Sequence, residues 1–155
     1  MNTKAEIALR GFEQRLDKFL ELCAELEDRG VWDIEHDGLM SAYFESDLMA
    51  VTLQIMSADG VFEHAEAEVV SSMFDCEYTP ADLRETYRSL APVINDYVRG
   101  EATEAIRKLQ GIDPALADEY RQLILDAADV VSASDGIAEG AELRLIERIR
   151  AALGA

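Results

Sequence analysis

Apolar residues recur in steps of three and four along the first thirty residues. Charged residues fill most of the positions between them, so the pattern predicts an amphipathic helix over residues 1–29, ended by Gly30. The spacing is also typical of a coiled-coil seam, but it lasts for fewer than three heptads. We expect this apolar stripe to pack on its own domain, with a weak homodimer through the helix as the alternative. The stripe consists of Leu9, Phe12, Leu16, Phe19, Cys23 and Leu26.

The rest of the chain is also predicted to be helical, because period-two alternation is absent. Residues 31–47 are less regular, with a turn-rich stretch at residues 33–38. A helix then begins near Leu39 or Asp47 and ends at Ala58. It is apolar on several sides, which is typical of a central, buried helix. The sequence thus predicts an all-α, single-domain bundle of six to eight helices over residues 1–155. Further helices are expected at 64–74, 80–99, 101–110, 114–133 and 141–153.

One acidic motif, Asp-Gly-x-x-Glu-x-Ala-Glu, occurs twice. It occupies residues 59–66 and again residues 135–142. Each copy follows an apolar helix and precedes an amphipathic one. The repeat therefore predicts duplicated helical hairpins over residues 48–74 and 124–153.

The acids of this motif have a structural and a functional interpretation. In the structural one, the glutamate at the end of each motif folds back onto free N–H groups of a new helix, as in a capping box. Two features favour more than capping: glutamate is a poor N-cap, and Asp59 and Asp135 lie near helix C-terminal ends, where the dipole disfavours an anion. If the hairpins face each other, six carboxylates converge and repel unless a cation neutralises them. The candidate ligands for Ca²⁺ or Mg²⁺ are Asp59, Glu63, Glu66, Asp135, Glu139 and Glu142.

The formal net charge of −18 changes which partners are plausible. It argues against nucleic acid and anionic membranes and favours cations or a basic protein partner, although solubility alone is an ordinary explanation. Residues 30–83 contain no Lys or Arg, and arginines that follow could fold back onto them. No apolar window is long enough to span a membrane and the N-terminus lacks a signal core, so we expect a cytoplasmic protein.

Other chemistry is weakly represented. His36 and His64 have no paired third group, and phosphate loops and zinc patterns are absent, so we expect no enzyme and no catalytic residue. Residues 33–38 imitate the first half of an EF-hand, but its twelfth place holds Phe44, which predicts a polar turn instead. Cys23 is expected to be a buried free thiol.

The doubled motif resembles that of the TerB-like family, tellurite-resistance protein B and its relatives. The family carries the motif twice, as here at 58–66 and 134–142, and the closing residues 145–154 look like its last helix. The resemblance covers about residues 48–153 and implies an all-helical fold. It also implies metal ligation, carried over position by position to Asp59, Glu66, Asp135 and Glu142.

The motif residues and the resemblance together lead to two functional expectations. The first is a non-enzymatic protein linked to tellurite and stress resistance that binds a divalent cation through paired acidic turns. The second is a helical protein-protein interaction module whose acids are only helix caps. Glu63 and Glu139 depart from the small hydroxyl or acidic cap expected in the family, which counts against pure capping.

Overall fold

A computed structural model of the protein describes residues 3–56, 62–98 and 103–134, together with residues 147 and 151. These ranges hold seven α-helices and no strand, which confirms the predicted all-α class. The last predicted helix, 141–153, lies outside the described residues except at those two positions. The helices are α1 (Thr3–Asp28), α2 (Ile34–Asp37), α3 (Met40–Met56), α4 (His64–Met73), α5 (Pro80–Val98), α6 (Glu104–Ile112) and α7 (Pro114–Ala133).

The apolar stripe of α1 is buried in the chain's own core. Phe12, Leu16, Phe19 and Cys23 are each at most 7% exposed, and α1 packs most extensively against α7. Burial of such side chains is the main favourable term in folding, at roughly 1.5–3 kcal/mol for a large aliphatic or aromatic group. The prediction that the stripe packs on its own domain is confirmed. It is therefore not a free surface for a dimer seam.

Helix α3 is the central element of the fold. It contacts α1, α5 and α7 and is buried on several sides, as its apolar pattern predicts. It begins at Met40, near the earlier of the two predicted starts, so Asp47 lies inside the helix. Asp47 is only 8% exposed, and its carboxylate accepts a hydrogen bond from the Tyr120 hydroxyl of α7.

Local capping explains where several helices begin. Asp113 accepts a hydrogen bond from the N–H of Ala115, and Pro114 occupies the first position of α7, as predicted. Thr79 and Asp82 bond reciprocally at the start of α5. Helix α6 begins at Glu104, three residues later than expected, because Thr103 supplies its cap.

Residues 33–38, predicted to be a polar turn, contain the short helix α2. The Asp33 carboxylate caps it by accepting from the N–H of His36 at 3.1 Å. The Asp37 carboxylate accepts from Lys108 Nζ of α6 at 3.1 Å. No helix within the described ranges combines the length and apolarity needed to cross a bilayer.

Candidate acidic-turn site

The two acids of the first motif that the structure describes form a capping box. Glu63 is the N-cap of α4 in extended conformation, and Glu66 Oε1 accepts from the Glu63 N–H at 2.9 Å. The Glu63 carboxylate faces the N–H of Glu66 in return. The bond to Glu66 satisfies one N–H group at the helix start. The first copy therefore has the capping-box arrangement of the structural interpretation, with Glu66 as its hydrogen-bonded carboxylate.

A buried phenylalanine fixes the point where the first acidic turn meets α4. Phe62 is 4% exposed and meets the ring of Tyr87 in α5 edge to face, with 5.9 Å between centroids. The Tyr87 hydroxyl donates to Gln54 Oε1 of α3 at 2.9 Å. Phe62 precedes the N-cap, and Ala67 at the fourth helical position is also in the core, which is the arrangement of a hydrophobic staple. The helix start is thereby held against α5, which is bonded in turn to α3.

The described chain reaches the second motif at Ser134, the residue before Asp135. Ser134 is buried, its hydroxyl donates to the Val130 carbonyl at 2.8 Å, and its N–H donates to the Val131 carbonyl at 3.3 Å. These bonds close the C-terminal end of α7. The remaining predicted ligands lie outside the described residues: Asp59, Asp135, Glu139 and Glu142.

A groove of about 820 Å³ brings parts of the two motif regions together. Its described wall includes His64 and Ala65 from the start of α4 and Ser134 from the end of α7. His64 directly follows Glu63 in the chain, and Ser134 directly precedes Asp135. The first turn of α4 and the end of α7 therefore border one space.

The groove carries negative charge along α4 and the segment after it. Glu68 and Glu77 line it, and His64 Nε2 lies 3.1 Å from Glu68 Oε1 with both side chains largely exposed. Among the residues that the structure describes, no three His, Cys, Asp or Glu side chains are grouped closely enough to hold a metal ion. The six-carboxylate site stays a prediction, because four of its members lie outside the described residues.

A lysine of α6 folds back onto the acidic segment 30–83, whereas the charge pattern led us to expect arginines there. Lys108 Nζ pairs with Asp37 and lies 5.7 Å and 5.8 Å from the ring centroids of Trp32 and Tyr43. Burial, followed by the nearby carboxylates, raises the pKa of the Tyr43 hydroxyl above its usual range. Sequence reasoning missed this cluster, because its members come from separate segments and share no regular spacing.

Comparison with known proteins identifies one family. A family model described as Tellurite resistance protein TerB matches residues 45–155, more than half of the chain and all of both acidic motifs. Helices α1 and α2 precede the matched region. No curated protein and no solved structure matches significantly.

Proposed function

We infer a function from the premise that this chain belongs to the TerB family. We propose that it is a non-enzymatic cytoplasmic protein that binds a divalent cation through its paired acidic turns. The tellurite resistance in the family's description supports a role for that binding in a stress response. The observation that carries the proposal is the groove shared by the start of α4 and the end of α7.

The shared groove supports convergence of the two motifs. Its wall contains a residue adjacent to Glu63 and a residue adjacent to Asp135, which are predicted ligands from different copies. Carboxylate oxygens suit Ca²⁺ and Mg²⁺, which take about six to eight and six oxygen ligands respectively. A cation at this position would also relieve the repulsion between clustered acids.

The capping role of Glu66 is compatible with cation binding. An ionised carboxylate has two oxygens with about four acceptor positions, and the bond from the Glu63 N–H uses one of them. One side chain can therefore hold the start of α4 and still face an ion.

Calorimetric titration with Ca²⁺, Mg²⁺, Mn²⁺ and Zn²⁺ tests the proposal. The turn variant, Asp59→Asn/Asp135→Asn, removes one carboxylate from each motif. The charge control, Glu13→Gln/Asp17→Asn, removes the same charge from the exposed face of α1. We expect saturable heat from the wild type and the charge control, and affinity at least about tenfold lower in the turn variant. Absence of saturable heat with every ion, or an equal loss in both variants, would contradict cation binding at the turns.

The capping box favours a second candidate, an interaction module whose acids are only helix caps. Glu66→Gln separates the two functions, because glutamine keeps the capping acceptor but removes the charge. If the turns bind a cation, Glu66→Gln has a lower cation affinity than the wild type and the same melting temperature in chelator. If the acids only cap, the variant differs from the wild type in neither cation affinity nor melting temperature. Such a module needs a surface other than the α1 stripe, which is buried.

A further inference from the structure

Three large apolar side chains are exposed within nine residues of each other, between α1 and α3. Val31, Ile34 and Leu39 are 50%, 44% and 57% exposed, and we call these three residues the loop patch. Ile7, on α1, is the other large apolar side chain of the described residues with comparable exposure. Single exposed aliphatic residues are ordinary, whereas contiguous exposed apolar surface is typical of an interaction site.

The loop that carries the patch is anchored by its tryptophan. Trp32 is 6% exposed, its Nε1–H donates to the Gly38 carbonyl at 3.0 Å, and its ring meets Tyr43 with 5.2 Å between centroids. Lys108 of α6 donates to Asp37 and lies 5.7 Å from the centroid of the Trp32 ring. The indole therefore points into the core while the three aliphatic neighbours remain outside.

The backbone of this loop is also fixed. Gly38 donates its N–H to the Ile34 carbonyl at 2.9 Å and closes α2. Gly30 and Gly38, on either side of the helix, have φ of +72° and +75°, which glycine adopts without strain. A preformed surface loses less conformational entropy on binding than a flexible one. The loop patch thus has the rigidity of a binding surface.

Charge indicates what the loop patch binds. Asp28, Asp33 and Glu35 are exposed next to it along the chain. Arg29 is the one arginine or lysine among residues 28–39, and Lys108 of α6 is paired with Asp37. We propose that the loop patch is the docking site for a basic protein segment with apolar side chains. A second copy of this chain would bring a face of the same sign, and anionic lipid would be repelled in the same way.

This inference is independent of cation binding at the turns. The patch lies at residues 31–39, before the region that matches the family model. A partner bound there would distinguish this chain from the family features shared over residues 45–155. The two proposals can therefore fail separately.

The single tryptophan of the chain is a built-in reporter for the test. The probe is a synthetic helical peptide of about eighteen residues with leucine on one face and lysine on the other, long enough for five turns. Comparison peptides replace its leucines with serine or its lysines with glutamate. Titrations follow Trp32 fluorescence in chelator at about 0.15 M salt, so that any divalent site is empty and long-range attraction is screened.

The patch variant, Val31→Ser/Ile34→Ser/Leu39→Ser, leaves the net charge unchanged. The matched control is Ile7→Ser, at the exposed aliphatic position on α1. We expect the wild type and the control to bind the leucine–lysine peptide saturably. The patch variant should bind it at least about tenfold more weakly, and either comparison peptide should bind the wild type more weakly to a similar degree. If the triple change perturbs the circular dichroism spectrum, Leu39→Ser alone is used.

Three results would overturn the proposal. Equal affinity of the patch variant and the wild type would show non-specific attraction to an acidic surface. A concentration-dependent dimer in sedimentation that the patch variant loses would assign the surface to a second copy. Patch-dependent binding to phosphatidylcholine–phosphatidylserine vesicles would assign it to a membrane.

Discussion

At the scale of single residues, the two cysteines have opposite surroundings. Cys23 is wholly buried on α1, where burial first and nearby acids second raise the pKa of its thiol to about 12, and Cys76 is exposed. Because the thiolate is the reactive form, a thiol reagent at about pH 8 should modify one thiol in the native protein and two in denaturant. In Cys76→Ser, the reagent should modify no thiol in the native protein and one thiol in denaturant. Rapid native modification of Cys23 would contradict its burial.

His36 and Asp37 form an exposed pair whose titration can be followed directly. The hydrogen bond to Asp37, 2.8 Å long, and the charges of Asp37 and Asp33 raise the pKa of His36, while Lys108 lowers it. A raised folded-state pKa means that the pair's contribution to stability is complete below the ordinary imidazole pKa of 6.5. It is lost as the pH rises through the folded-state value.

Asp37→Asn should therefore lower the pKa of His36, measured by NMR titration of its ring protons. Asp17→Asn, on the exposed face of α1, serves as the control because it removes the same charge at a distant position in the sequence. An unchanged His36 titration in Asp37→Asn would show that the pair does not form in solution.

At the scale of elements, the sequence predicts best what local chemistry decides. The start of α7 at Pro114 and its end at Ala133 were both predictable, because a cap, a proline and the apolar run all lie within the segment. Helix α2 was not predictable from the sequence, because its loop is stabilised by Lys108 of α6, which follows Asp37 by seventy-one residues. The pairing of α1 with α7 likewise depends on tertiary packing that periodicity alone does not specify.

The junction of α3 with α7 depends on a buried carboxylate. Asp47 accepts from the Tyr120 hydroxyl at 2.5 Å, and the same hydroxyl lies 3.3 Å from the Phe44 carbonyl. Tyr120→Phe removes a donor from a buried acid, so it should lower the free energy of unfolding by about 1–3 kcal/mol in urea titrations. Tyr87→Phe, which removes a half-buried bond to Gln54, is the matched control and should cost about 1 kcal/mol or less. Equal losses would mean that burial of Asp47 does not matter.

At the scale of the whole molecule, the candidate site was predictable only in part. The capping geometry of Glu63 and Glu66 follows from a spacing of three residues, so the sequence contains it. The shared groove between His64 and Ser134 depends on how the hairpins pack. The repeat predicts convergence of the acids only on the condition that the two hairpins face each other. The loop patch left no periodic signal, because Val31, Ile34 and Leu39 are exposed by the anchoring of Trp32 rather than by a helical pattern.

The net charge of −18 leads to a prediction for the whole chain. The chain has 32 acids and 14 basic residues, and repulsion among the excess acids opposes the compact state. NaCl screens this repulsion, so it should raise the melting temperature of every variant. MgCl₂ at equal ionic strength should add a further increment only if the acidic turns bind the ion. For one site, that increment is about 2.7 kcal/mol at a hundred times the Kd.

Thermal unfolding of the wild type, the turn variant and the charge control in both salts separates the two effects. The wild type and the charge control should gain the magnesium increment, and the turn variant should gain only what NaCl provides. If the turn variant keeps the whole increment, the ion acts through diffuse surface charge rather than through Asp59 and Asp135. If NaCl stabilises none of the three proteins, the acids of the folded chain are already neutralised by neighbouring basic groups. The ion pair of Lys108 with Asp37 is a local example of such neutralisation.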